Sequence, residues 1–493
     1  MQKAVSLACP KCHGALQTEP GRGLRCPACT LQYPLVDGIP SFIIPSNNAR
    51  ALPGCAISVI IPALNEAANL EQVLPAVEAA LTALAVSHEV IVVDGGSTDG
   101  TQEIVRKHGA RLVSQKLPGF GGAYRAGFEQ ARGEYVLTLD ADGSHDVAAI
   151  PDLWAAREQA EVVIASRYIE GGGAEMPLWR SLLSRTLNVT FRRGLSLPVQ
   201  DLSSGYRLYK RSALRERDLT ATDFDILEEI LIRALAAGYR VHEVPFKYQA
   251  RLAGRSHARL FHFALSYLRT FLAMWRLRNS IASADYDSRA FDSMIPLQRY
   301  WQRGRHRVIT RLAQGFEQIL DVGCGSSRIL GSIPGMTGLD VQLHKLRFDR
   351  RFNNQLIHGS IFDLPFADAS FDCLICSEVI EHIPAEEKAF DELSRVLKTD
   401  GRLILGTPDY DRWQWRALEW VYARVSPGGY ADEHITHYSM KNLSVYLQGK
   451  GFAIESVDYV GGSEMIFSLR KLPPMSSSVP ARPIRTALRS DAA

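Results

Sequence analysis

Apolar, β-branched runs that end in an acid and small residues recur along this chain. VIVVDGGSTDGT at 90–101 and ILDVGCG at 319–325 each read as a buried parallel strand that hands its carboxyl end to a ligand-binding loop. Around the first run, ISVIIPALNEAANLEQVL reads as a strand, a proline-containing loop and a helix begun by Asn65 and Glu66. GEYVLTLDADGSHD reads as a further strand that ends in Asp140, Ala141 and Asp142. Around the second, QILDVGCGSSRIL reads as a strand, a glycine-rich turn and a helix start, with GLDV following at 338–341. The pattern predicts two α/β blocks, 56–258 and 285–471.

The flanks differ in kind. Residues 1–46 are rich in Cys, Pro and Gly, and 472–493 hold too few large apolar residues to pack, which predicts a disordered tail. Between the blocks, 259–284 forms an amphipathic helix and linker: RLFHFALSYLRTFLAMWRLRNSIA has no Pro or Gly. Arg259, Arg269, Arg276 and Arg278 interrupt it, which disfavours a transmembrane span and leaves two readings, a core helix or an interfacial helix on anionic lipid.

Composition adds limits. At 493 residues with 46% hydrophobic and 22% charged positions the chain can bury several cores, and a net charge of +3 gives no argument for a nucleic-acid partner. The start MQKAVSLACPKC lacks a signal-peptide core, so the expected location is cytoplasmic, with thiols reduced and peripheral contact at the inner face of the cytoplasmic membrane through 259–282. Cys55, Cys324, Cys373 and Cys376 fall in or beside apolar runs and read as small buried hydrophobes.

Cys9, Cys12, Cys26 and Cys29 are different. CPKC and CPAC place four thiolates on two tight turns, a geometry that surrounds Zn²⁺ and gives a small head the stability its core lacks. LACPKCHGAL with LRCPACTLQYPLVDGIPSFI resembles the zinc-ribbon family that includes the activating partner of certain tRNA and protein methyltransferases. Four thiolates leave no open coordination position, so the expected zinc is structural.

The first block carries PALNE, VVDGGSTDGT, GFGGAYRAGF, LDADGSHD, ASRY, DLSSGYRLYKR and LEEILIRALAAGYRVHEVPFKYQARLAGRSHARL. Together they resemble the family 2 glycosyltransferases of GT-A, nucleotide-sugar-binding fold, the dolichyl-phosphate mannosyltransferase group above all. The resemblance implies that Pro62, Leu64, Glu66 and Asp94 contact the nucleotide, and that Asp140 and Asp142 hold Mg²⁺ or Mn²⁺ against the diphosphate. Ser144 stands where relatives have a Gln that reaches the metal, and His257 where they have Lys. Arg167, Arg185, Arg207 and Arg251 match basic positions near the acceptor phosphate or the diphosphate; Asp142, Arg207 and Arg251 are the expected catalytic set. A phosphate acceptor is already an oxyanion and needs no base, and Glu228 and Glu229 stand in the lipid-phosphate group's helix, so the expected acceptor is a polyprenyl phosphate or a glycan.

In the second block DVGCGSS, GLDV, GSIFDLPFADASFDCLICSEVIEHIP, DELSRVLKTDGRLILGTP and HITHYSMKNLSVYLQGKGF resemble the class I S-adenosylmethionine-dependent methyltransferases, with a Rossmann-like sheet. The resemblance implies that Asp321, Gly323 and Gly325 line the methionine part, Asp340 the ribose and Asp363 the adenine. Glu378, Glu381 and His382 lie together in SEVIEHI, and two readings stand: helix amino-end chemistry, or a cluster for metal or proton transfer. His434 and His437 either face the acceptor or cap the helix beginning near Ser439.

The whole reads as a bifunctional enzyme of cell-envelope glycan or glycolipid biosynthesis: a zinc ribbon, a metal-dependent glycosyltransferase and a methyltransferase. The rival is an RNA or protein methyltransferase whose transferase scaffold is a non-catalytic binding module. It predicts a basic groove with stacking aromatics, for which WQWRALEW at 413–420 is the nearest candidate.

Overall fold

The computed structural model describes residues 5–20, 23–43, 54–214, 219–249, 260–352, 355–425 and 434–473. Arg251, His257 and nearly all of the expected disordered tail fall outside them. The chain forms two compact units, 49–278 and the pair 1–48 with 279–493. Both are α/β, as the hydrophobic pattern implies.

Unit 49–278 is built on a seven-stranded sheet, in the order Val241–Pro245, Val162–Ser166, Arg207–Lys210, Tyr135–Thr138, Ile57–Ala63, His88–Asp94 and Arg111–Ser114. Ile57–Ala63 runs parallel to both Tyr135–Thr138 and His88–Asp94, with Ala63 opposite Asp94. The acids that end these strands therefore gather at one edge. Arg207–Lys210 is antiparallel to both its neighbours. Ile57, Val59 and Ile61 point into one apolar cluster and Ile60 into another, so the central strand is buried on both faces.

The helix Leu260–Arg278 belongs to this unit. Met274 is buried, and Tyr267, Phe271 and Leu277 pack on the cluster around Phe191 of the helix Leu178–Gly194. Leu265, Leu268, Leu272 and Trp275 are exposed. The residues that read as either a core or an interfacial helix thus divide: one stripe is core and another apolar stripe faces out. No helix among the described residues is long and apolar enough to cross a membrane.

The second unit holds a seven-stranded sheet in the order Leu356–His358, Thr337–Asp340, Ile319–Val322, Phe371–Ser377, Leu397–Pro408, Glu464–Lys471 and Phe452–Val460. Its first strand lies in the middle, so the crossover places the glycine loop after Val322 at a topological switch point. Cys373 and Cys376 lie buried in Phe371–Ser377.

The cysteine-rich head packs on this sheet. Tyr33, Phe42 and Cys9 share an apolar cluster with Leu320, Phe366 and Phe371. Ser41 bridges in parallel to His358 at the edge strand, and its Oγ lies 2.8 Å from His358 Nδ1. Arg347 Nε donates to Asp37 Oδ2 at 2.7 Å across a largely buried contact. Burial of two aromatic side chains contributes roughly 2–3 kcal/mol each, which a head this size cannot obtain from its own core.

Candidate active sites

At the carboxyl edge of the first sheet, Asp94 is buried and its carboxylate is engaged by its own loop. Oδ1 accepts from Ser97 N–H at 3.1 Å and Oδ2 from Gln102 Nε2 at 2.7 Å. Burial raises its pKa, but these donors outweigh burial and hold it below the usual range. The rest of the STDGT loop caps the helix Ala67–Ala83: Asp99 Oδ2 accepts from Ala67 N–H at 3.0 Å, and Thr101 Oγ1 from Glu66 N–H at 2.9 Å. Asn65, with φ of 57°, accepts from Thr98 N–H. Pro62 and Glu66 are half-buried beside Asp94 and Leu64 is exposed.

Asp140 and Asp142 follow the strand Tyr135–Thr138. The Asp140 side chain is about one-third exposed and Asp142 is buried, with Oδ1 accepting from Ser144 N–H at 3.0 Å and from Ser144 Oγ at 2.5 Å. Ser144 therefore braces Asp142. His145 is buried, stacked on Tyr206 with centroids 4.9 Å apart, and Nδ1 accepts the Asp140 N–H at 2.9 Å. That bond places the ring proton on Nε2, 3.6 Å from Asp140 Oδ2. Burial pulls the His145 pKa down, so the ring stays neutral. Two carboxylates one residue apart are oxygen donors of the kind that Mg²⁺ or Mn²⁺ takes.

Arg167 lies against Asp201 in a buried bidentate pair, Nε to Oδ2 at 2.8 Å and Nη2 to Oδ1 at 2.7 Å, and a third bond reaches Ser203 Oγ. It lines a cavity of about 330 Å³ with Tyr168, Arg185, Asn188 and Arg192. Arg185 is exposed, its guanidinium 5.6 Å from the Tyr168 ring centroid. The aspartate counter-ion fixes Arg167 in place while Arg185 and Arg192 leave the cavity basic.

Arg207, expected in the catalytic set, is wholly buried, donating to the carbonyls of Leu202 and Leu227, the latter at 2.7 Å. Its strand is internal to the sheet, so the guanidinium braces the loop and helix behind the site. Glu228, also wholly buried, sits nearby; burial pushes its pKa up to about 8 although the Arg207 charge opposes this. Glu229 accepts from the Thr220 and Ala221 amides and from Arg233.

In the second unit a cavity of about 380 Å³ lies over the glycine loop, lined by Gly323, Gly325, Asp340, Ser360, Phe362 and His382 among others. Gly323 has φ of +71°, and a Cβ there would meet Val379 Cγ2 at 2.3 Å. Asp340 accepts from Gly325 N–H at 2.8 Å and Gln342 N–H at 2.7 Å, while burial pushes its pKa up. Asp321 is not among the lining residues: it is buried beneath the loop, where burial and then Asp340 push its pKa up to about 8. Asp363 is also outside the lining set, its Oδ1 accepting from Lys388 Nζ at 2.6 Å at the surface, though the preceding Ile361 and Phe362 do line the cavity. A cavity lined by both polar and apolar residues over a strand–glycine–helix turn, with an acid on the second strand, fits S-adenosylmethionine.

Ile380–His382 is a short 3-10 turn rather than the start of a helix; the next helix begins at Glu387. Ser439 itself caps the helix Met440–Gly449 through Asn442 N–H, so neither His434 nor His437 is the cap.

Residues 58–218 match the family model for glycosyl transferase family 2. An uncharacterized glycosyltransferase of Mycobacterium tuberculosis (strain ATCC 25618 / H37Rv) is 34% identical over 205 residues, which is 42% of this chain and 90% of that protein. The chain belongs to glycosyl transferase family 2. Polyprenol monophosphomannose synthase of Mycolicibacterium smegmatis is 36% identical to this family member over 217 residues, 40% of this chain and 79% of the relative. Among solved structures, glucosyl-3-phosphoglycerate synthase from Mycobacterium tuberculosis in complex with Mn²⁺, UDP and phosphoglyceric acid is 24% identical with a TM-score of 0.38, covering 46% of this chain and 80% of that one. Residues 320–405 match a methyltransferase domain model. This family 2 glycosyltransferase thus carries a methyltransferase domain as well, and both are transferases.

Two residues of the first domain were not among the expected site residues, and a third residue, His434 in the second, was expected only to face the acceptor or cap a helix. His145 adjoins LDADGS in sequence, and only its stacking and its bond to Asp140 reveal a role. Asp201 gave no signal, because a buried counter-ion 34 residues from its Arg is a tertiary property. His434 comes within ligand distance of Glu381 and His382 only through the fold.

Proposed function

We propose that unit 49–278 transfers a sugar from a nucleoside diphosphate sugar to a polyprenyl phosphate, and that the second unit methylates the glycan product or its neighbour from S-adenosylmethionine. The observation that carries the first part is the basic cavity of Arg167, Arg185 and Arg192, in a chain that over 217 residues is 36% identical to a polyprenol monophosphomannose synthase. Asp140 and Asp142 would hold the divalent ion, which when bound neutralises the departing diphosphate. Pro62, Leu64, Glu66 and Asp94 would bound the nucleotide. His145 orients Asp140, and Arg167, held by Asp201, presents donors to the acceptor phosphate without requiring a general base.

The exposed apolar residues Leu178, Trp179, Leu182 and Leu183 on one helix and Leu268, Leu272 and Trp275 on the other support peripheral contact with the bilayer that holds such an acceptor. The two helices pack together through Phe191 and Phe271.

In the second unit Gly323 and Gly325 would let the backbone approach the methionine part and Asp340 would meet the ribose. Cys9, Cys12, Cys26 and Cys29 would hold a structural Zn²⁺ in a ribbon. Their sulfurs lie within 4.8 Å of one another, with Cys9 to Cys29 at 3.4 Å and Cys12 to Cys29 at 3.8 Å. A tetrahedron with Zn–S of about 2.3 Å has edges of about 3.8 Å.

The test is to incubate the protein with single nucleotide sugars, Mg²⁺ or Mn²⁺, and undecaprenyl phosphate or a free saccharide, with and without labelled S-adenosylmethionine. Mass spectrometry of the products should show glycosyl phosphate lipid, lost in Asp142→Asn with methylation retained. Transfer to the saccharide hydroxyl alone would overturn the acceptor assignment.

A further inference from the structure

Glu381, His382 and His434 each bring one ligand atom to within 4.8 Å of the others. Glu381 has no exposed surface. Its Oε2 accepts from Thr407 Oγ1 at 3.0 Å, and Oε1 has no hydrogen-bond partner among the described residues. A carboxylate oxygen left this way in the interior is costly unless a cation or donor meets it.

His434 is oriented for the same point. Its Nδ1 lies 2.7 Å from the Tyr410 hydroxyl, and that hydroxyl lies 3.2 Å from Glu419 Oε1. The order that satisfies all three groups has Nδ1–H donating to Tyr410 and Tyr410 O–H donating to Glu419. His434 Nε2 then carries a bare lone pair, and it too has no partner among the described residues. The ring is fixed by stacking on Trp415, centroids 5.8 Å apart, and by its edge contact with His382 at 4.7 Å.

The two imidazoles each reach one of two adjoining cavities, and Glu381 lies buried behind them. His382 and Glu378 line the cavity over the glycine loop, while Glu378 and His434 line a smaller one walled by Trp301, Trp415 and Tyr286. We propose that Glu381, His382 and His434 bind a divalent cation that holds a hydroxyl of the methyl acceptor at the end of the methyl-donor cavity. One carboxylate and two imidazoles suit Zn²⁺, Co²⁺ or Mn²⁺ better than Ca²⁺ or Mg²⁺, and three protein ligands leave positions open for oxygen.

The acceptor class is a saccharide diol, whose adjacent hydroxyls can both reach the cation while the apolar face of the ring lies on the aromatic wall. Coordination lowers the hydroxyl pKa, so its proton passes to solvent. The oxygen lone pair forms the O–C bond to the methyl carbon as the C–S bond breaks. The bonding pair returns to sulfur, and the sulfonium becomes a neutral thioether. This chemistry rests on the reading of the second unit as an S-adenosylmethionine-dependent methyltransferase.

The experiment uses the full chain with Asp142→Asn as parent, which removes the aspartate pair from the metal count. Stripped protein is dialysed against Co²⁺ and the bound metal counted by mass spectrometry, alongside the absorption spectrum and S-adenosylhomocysteine binding by calorimetry. Glu381→Gln and His434→Gln should each hold one Co²⁺ per chain fewer than the parent, with thiolate charge-transfer absorption from the cysteine cluster and S-adenosylhomocysteine binding retained. Glu381→Asp, which keeps a carboxylate, should retain the ion at about tenfold weaker affinity. Unchanged Co²⁺ content in both Gln variants overturns the site. A parent that loses Co²⁺ with these substitutions yet never binds S-adenosylhomocysteine supports the cation site and removes the methyl-donor reading instead.

Discussion

His145 holds the Asp140 backbone: Nδ1 accepts its N–H at 2.9 Å, and Nε2 stands 3.6 Å from Oδ2. The imidazole is buried against Tyr206 and Phe246, so it fixes the backbone that carries Asp140 rather than meeting ligand itself. His145→Ala should lower sugar transfer about 100-fold, the scale of a misplaced reacting group, and weaken Mn²⁺ binding. Methyl transfer assayed on the same preparation should be unchanged.

Asp201→Ala leaves the Arg167 guanidinium without its buried counter-ion. Loss of one partner of such a pair costs about 3–5 kcal/mol, to be read as a drop in denaturant midpoint with sugar transfer lost in parallel. Arg185→Ala, at an exposed position in the same cavity, should leave the midpoint unchanged and raise KM for the acceptor phosphate.

Gly323→Ala forces a Cβ to within 2.3 Å of Val379 Cγ2 at a backbone angle that side chains avoid. S-adenosylhomocysteine binding by calorimetry should fall by at least about 100-fold, a loss of about 3 kcal/mol. Glycosyl transfer serves as the internal control.

Asp321 supplies a pH test. Its pKa is raised to about 8 in the folded protein, against about 4 unfolded. The folded state therefore prefers the neutral acid: the associated stability is complete below about pH 4 and is lost as pH rises towards 8. Asp321→Asn does not titrate. Its stability advantage over the parent should be small near pH 4.5, widen by up to about 1.4 kcal/mol per pH unit and level off above pH 8. A gap independent of pH would show that Asp321 is already ionised in the fold.

The sheet edges were legible in the sequence because a parallel strand buried on both faces leaves an uninterrupted apolar run, and the acid after it marks the open end. The positions of Gly323 and of the Asp140–Asp142 pair at those strand ends were legible for the same reason. The burial of Arg207 was not, since an Arg in GYRLYKR reads alike whether its fork meets a ligand or two backbone carbonyls. His145 and Asp201 act through contacts that only packing creates. The place of His434 beside Glu381 was hidden by the 51 residues between His382 and His434.

The head's attachment has a consequence for how the molecule is made. Asp37 and Arg347 are 310 residues apart and Ser41 and His358 are 317 apart, with the whole glycosyltransferase unit between them. Vectorial synthesis delivers the cysteine-rich segment first and its docking strand only after more than half the chain has left the ribosome. The head must therefore wait beside a growing polypeptide without the partners that cover Tyr33 and Phe42, and capture of the proposed Zn²⁺ is what would keep it from trapping the wrong strand edge. A nascent chain starved of metal should stall in assembly of the second unit while its sugar-transferring unit matures normally.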